Sequence, residues 1–204
     1  MKKTMITLIA MIMIGTITTN AQSFWTEHDV RVSEHGVATV YSQIQYTYTI
    51  KETGFSLSPY VSTDYSWHEG LLFGNYQYEI FSGGVGAGLE LINGKAGFRW
   101  SPWLRIAPEV DPYEGGILEI LSQWEFGTGK GNYWYSNSLI YQARPDEEIS
   151  GQFGFIHRRF YGVGPVGGIK WKNEKDFSIT LKLGLFRDFE FDTVNLTPIL
   201  TITF

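Results

Sequence analysis

The 204-residue chain has no cysteine. That excludes a disulfide framework, a thiolate metal site and a lipid anchor of the kind attached to a cysteine behind a leader. It also lacks a hydrophobic run long enough to cross a membrane as a helix. The longest, Met5 to Ile14, falls well short of the roughly 20 apolar residues that such a helix needs. A basic surplus is missing too: 16 Lys and Arg stand against 21 Asp and Glu, for a formal net charge of −5. Nucleic acid is therefore a poor partner.

What the chain does have begins at its first residues. Lys2 and Lys3 precede the apolar run, and a polar stretch follows to Asn20-Ala21-Gln22. Charge, apolar core and small residue in that order predict a cleaved signal peptide over residues 1–21. Its removal takes two lysines and no acid, so the mature net charge is −5 − 2 = −7. Residues 22–36 are expected as a short periplasmic segment. Its His28 and His35, with Glu27, Asp29 and Glu34, are expected on a solvated tail rather than around a metal. Residues 37–204 are expected as one domain, with no long linker or break in composition.

Aromatic residues make up 16% of the chain, yet its mean hydropathy is slightly negative at −0.11. Short alternating runs explain the combination. Val194, Leu196, Pro198, Leu200, Ile202 and Phe204 oppose Thr193, Asn195, Thr197, Ile199, Thr201 and Thr203; Phe177, Ile179, Leu181, Leu183 and Leu185 oppose Ser178, Thr180, Lys182 and Gly184. A period of two places one set on each face of a strand. Turn chemistry such as Asn93-Gly94 and Pro145-Asp146 punctuates the runs. About ten strands are predicted, near 38–51, 54–68, 76–92, 95–106, 117–128, 133–144, 149–161, 165–172, 177–187 and 193–204, with eight as the other even count. The fold class is all-β, a single closed antiparallel up-and-down transmembrane barrel. Trp and Tyr near strand ends are expected to form interfacial girdles.

The leader, the alternating strands and a last strand ending in Phe204 together resemble a small bacterial outer-membrane β-barrel protein. The resemblance implies export to the outer membrane, lipid contacts, and recognition of Leu196, Leu200, Ile202 and Phe204 by the barrel-assembly machinery. The Ala21-Gln22 junction on a Tyr-rich, Cys-free chain is also similar to exported proteins of Bacteroidota.

Projected inward, the alternation places a charge network of Glu90, Arg99, Arg105, Glu119, Glu125, Arg158, Lys170 and Lys182 in the lumen, with Asp64, His68 and Lys172. Arg99 and Arg105 face Glu119 and Glu125 on the next strand, and compensation is the expected state of charges in a low-dielectric interior. Glycines at 84, 86, 88 and 97 are expected on the same side, relieving crowding. Asp64, Ser66 and His68 share a parity and form the sharpest catalytic trio. Alternate residues lie roughly 6.5 to 7 Å apart, however, which is long for a direct Ser to His bond. No cofactor is called for. The leading functional expectation is a non-enzymatic structural or accessory barrel with an occluded lumen, working through lipids or a larger envelope complex. A narrow channel for ions or small polar solutes is the alternative, and a lipid-modifying enzyme the third class.

Overall fold

The computed structural model describes residues 23–33, 36–50, 52–64, 67–111, 115–128, 132–159, 162–173, 177–189 and 192–204. The leader, Ser66 and His35 lie outside them. Thirteen strands run in chain order: β1 (Ser23–Ser33), β2 (Gly36–Thr49), β3 (Phe55–Thr63), β4 (Trp67–Tyr78), β5 (Phe81–Ile92), β6 (Lys95–Ile106), β7 (Glu109–Asp111), β8 (Gly116–Gly127), β9 (Tyr133–Gln142), β10 (Ile149–Arg158), β11 (Gly162–Lys172), β12 (Ser178–Asp188) and β13 (Thr193–Thr203). Each pairs antiparallel with its chain neighbour, except that β6 bonds β8 across the short β7, and β1 pairs with β13. Twelve strands thus close a meander with no free edge, which removes the hazard of unpaired backbone in a membrane.

Ten of the twelve fall where alternation places them, including the glycine-rich β11. The other two correct the strand count. β1 occupies the segment expected as a periplasmic tail, and its pairing to both β2 and β13 makes it the closing strand. It escapes pattern recognition because Thr26 and His28 sit on its outer face where apolar residues are the rule. β4 is hidden for a similar reason. Its outer face holds His68, Gly70, Leu72 and Gly74, while Leu71 and Phe73 point inward. The turn after it, Glu79-Ile80, lacks glycine, although Glu79 takes the positive φ of 51° that a two-residue hairpin requires.

Side chains are distributed inside out relative to a water-soluble domain. Leu89 is 63% exposed and Glu90, the next residue, 3%; Phe153 is 63% exposed, and Thr197 is 0%. Apolar residues cover the outer wall and polar ones fill the interior, as lipid outside and polar groups inside demand. Two aromatic bands bound that wall. At the end carrying Ser23 and Thr203, hereafter the terminal end, Phe24 packs on Tyr46 and Phe204, and Phe177 on Phe204 and Trp171. At the far end Trp100 stacks on Phe126, and Trp124 contacts Tyr135 beside Tyr133. Trp67 and Trp103 do not join these bands and point into the lumen, Trp67 toward Arg99 and Trp103 toward Asn75. Among the described residues no helix is long and apolar enough to cross a membrane; the strands cross it.

Glycine makes room for the luminal rings. The Phe73 ring lies across Gly86, its register partner, where an added Cβ would sit 2.6 Å from a ring carbon. Gly86→Ala therefore displaces that ring, and we expect a loss of about 1–3 kcal/mol, read as a lower urea midpoint of the refolded barrel. An unchanged midpoint would show that the ring moves aside without cost.

Candidate functional site: the barrel lumen

Three charge clusters occupy the lumen. Near the far end Arg99 is a hub. Its Nε lies 2.8 Å from Glu69 Oε2, Nη1 2.8 Å from Glu90 Oε2, and Nη2 2.9 Å from Glu125 Oε2. All four residues are buried. The other oxygen of each carboxylate is also engaged. Ser62 Oγ donates to Glu69 (2.8 Å), Asn132 Nδ2 to Glu90 (2.6 Å) and Gln123 Nε2 to Glu125 (3.0 Å). The Trp67 ring lies 4.9 Å from the guanidinium carbon.

The second cluster centres on Arg158. Its Nη1 lies 2.5 Å from Asp29 Oδ2, Nη2 3.0 Å from Glu27 Oε1, and Nε donates to Ser136 Oγ at 3.0 Å. Lys182 Nζ approaches the other Glu27 oxygen at 4.0 Å. Gln43 ties the two clusters together: its Nε2 donates to Glu27 (2.9 Å), while its Oε1 accepts from Tyr60 (2.7 Å) and Tyr41 (3.2 Å). Tyr41 in turn stacks on Trp67 beside Arg99. A continuous polar belt therefore crosses the lumen. Fully buried Phe186 and Ile199 pack beside it with Ile140, Ile156 and Val166, so side chains crowd this level of the barrel.

Toward the terminal end the interior opens into a cavity of about 530 Å³. Its lining runs from mouth residues such as Thr203, Ser178 and Lys172 up to Ile156 and Arg158. Five cations reach it, namely Arg105, Arg158, Lys170, Lys172 and Lys182, against two carboxylates, Glu27 and Glu119, so its lining carries 5 − 2 = +3. Arg105 Nε bonds Glu119 Oε2 at 2.6 Å in a partly exposed pair, the third cluster. A second cavity of about 200 Å³ is uncharged and lined by Trp25, Gln43, Gln45, Tyr60, Phe73, Trp103, Leu121 and Gln123.

Of the residues singled out in the sequence, Arg99 is joined to Glu90 and Glu125, Arg105 to Glu119, and Arg158, Lys170 and Lys182 share the large cavity. Glu27, Asp29 and Glu69 were missed. The first two lie on the strand taken for a tail, and Glu69 on β4; only pairing to neighbouring strands reveals their inward parity. The trio of Asp64, Ser66 and His68 is not one strand face. β3 ends at Thr63 and β4 begins at Trp67, so Asp64 lies in the intervening turn, where its Oδ1 accepts from the Trp67 backbone N–H at 2.7 Å. His68 faces outward, not into the lumen, with Nδ1 2.6 Å from Thr63 Oγ1. Leu196, Leu200 and Ile202 lie on the outer face of β13, with Phe204 just beyond it in the terminal aromatic band.

His28 also faces outward. Its Nδ1 is 2.9 Å from Ser42 Oγ and its Nε2 3.0 Å from Thr26 Oγ1, and the Thr26 hydroxyl donates to the Gln43 carbonyl. With that proton committed, Thr26 Oγ1 accepts from Nε2–H. Local bonding of this kind lowers the cost of a polar group against lipid.

Comparison with solved structures accords with this geometry. The barrel is similar to the KdgM porin solved in complex with disordered oligogalacturonate, with a TM-score of 0.59, 12% identity, and coverage of 89% of this chain and 98% of that one. It is similar also to the NanC porin, with a TM-score of 0.57, 8% identity and the same coverage. The fold matches that of small porins. No family model and no curated protein matches the chain. At such identities the likeness speaks for the architecture and not for any solute.

Proposed function

We propose that the chain forms a narrow channel of the bacterial outer membrane that favours small anionic solutes. The observation that carries this reading is the +3 lining of the large cavity within a chain whose net charge is −5. Cations converging on a polar cavity inside an acidic protein concentrate anions there, and low-dielectric walls focus the field. The porin-like architecture supports a channel over an accessory role, and one of the similar porins was solved with a polyanionic saccharide. The belt of ion pairs at the far end narrows the route and keeps conductance small. The similar solved structures are porins, which supports a transport role over an enzymatic one. Swelling of vesicles containing the refolded barrel tests this: gluconate enters several-fold faster than a cation of similar size. Equal rates, or no entry above empty vesicles, would overturn it.

A further inference from the structure

The two cavities differ in chemistry, and the barrel's topology separates them. Trp25 on β1 and Leu121 on β8 line both. Those strands lie six positions apart in either direction around the twelve-stranded ring, so the two side chains reach in from opposite walls and divide the lumen. One side is cationic. The other has no charged lining residue.

That second side is built from aromatic rings and amides. Trp103 is held by its Nε1–H, which donates to Asn75 Oδ1 at 3.0 Å. Tyr60 and Phe73 meet edge to face with centroids 5.7 Å apart and an interplanar angle of 89°. Glycines cut the wall to fit them: at Gly84 a Cβ would lie 2.8 Å from Trp103 Nε1, and at Gly86 it would strike Phe73. Gln43 is engaged by Glu27 and the two tyrosines. Gln45, by contrast, holds its amide among the described residues only by a long 3.5 Å bond to Thr47. Flat apolar rings beside amides that can donate and accept suit a saturated ring whose faces are C–H and whose rim is hydroxyl. At about 200 Å³ the space is below the ~300–1,000 Å³ of pockets for drug-sized ligands and suits a single six-membered ring.

We propose that this uncharged cavity is a subsite for a neutral sugar ring, placed so that a carboxylate on the same molecule lies in the cationic cavity next to it. The proposal rests on the anion-channel reading for the carboxylate and on the aromatic and amide lining for the ring. The solute class that satisfies both is a saccharide carrying a neutral pyranose and an acidic group.

Four probes separate the contributions, titrated into the full refolded barrel and followed by calorimetry and tryptophan emission: lactobionate (neutral ring plus carboxylate), lactose (neutral), gluconate (carboxylate alone) and benzoate (aromatic carboxylate). We expect lactobionate to bind at least tenfold more tightly than gluconate or lactose. Trp25→Ala and, independently, Gln45→Leu reduce it to the level of gluconate, while Lys170→Glu/Lys172→Glu reduces it to that of lactose. Heat-modifiable gel mobility checks folding of each variant, and Trp25→Phe retains partial binding. Lactobionate binding no better than gluconate, or benzoate binding better than lactobionate, overturns the sugar subsite and leaves the anion reading standing. Binding of lactose that depends on Trp25, with no advantage from the carboxylate, supports the subsite and removes the anion reading.

Discussion

Arg99→Met costs the barrel about 3–5 kcal/mol, the range found when one member of a buried ionic group is removed. The reason is the imbalance left behind. Among the described residues Arg99 is the one guanidinium against Glu69, Glu90 and Glu125, each within 2.9 Å, and all three carboxylates are buried. Ser62, Asn132 and Gln123 each donate one hydrogen bond to this group, and neutral donors do not replace a charge. Arg99→Lys should fall between the two, since an ammonium keeps the charge but cannot serve three carboxylates in one plane. Urea unfolding in detergent, read by tryptophan emission, ranks wild type above lysine above methionine. Equal midpoints for wild type and methionine would mean that the cluster contributes no net stability.

Lys170→Glu/Lys172→Glu reverses the preference of the channel without unfolding it. Both residues are partly exposed to the cavity near its terminal mouth, so the folded wall loses little packing. The lining changes from five cations and two carboxylates to three and four, from 5 − 2 = +3 to 3 − 4 = −1. Lys182 is left in place because a glutamate there would face Glu27. A potential of a few kT in a confined lumen changes the local ion population by about tenfold or more. The ratio of gluconate to cation entry in vesicle swelling should therefore fall by roughly that factor and invert. A ratio that stays put would assign selectivity to some other part of the barrel.

Much of this architecture is legible in the sequence, and the exceptions have physical causes. A lipid-facing strand such as β12 announces itself, since Ile179, Leu181, Leu183 and Leu185 face hydrocarbon while Ser178, Thr180 and Lys182 face the lumen. β1 and β4 break that rule. On β1, Thr26, His28 and Ser42 of the neighbouring strand satisfy one another and so tolerate lipid; on β4, glycines replace apolar residues outside while Leu71 and Phe73 fill the interior. With both strands unread, the count fell from twelve to ten and three of the luminal carboxylates disappeared. The charge network was half visible for the same reason: Arg105 and Glu119 belong to strands with plain alternation, whereas Glu69 and the Arg158 partners Glu27 and Asp29 belong to the hidden ones. The two-cavity division was not legible at all. It depends on Trp25 and Leu121 lying on opposite walls, a relation set by closure of the ring rather than by local pattern.

The reversal potential of the unaltered barrel in a planar bilayer, under a tenfold KCl gradient, tests the central claim most directly. The account predicts small steady conductance steps and a reversal potential of the sign set by chloride. A reversal potential of the sign set by potassium, or a bilayer that stays silent while the protein is shown to be folded and inserted, would contradict it.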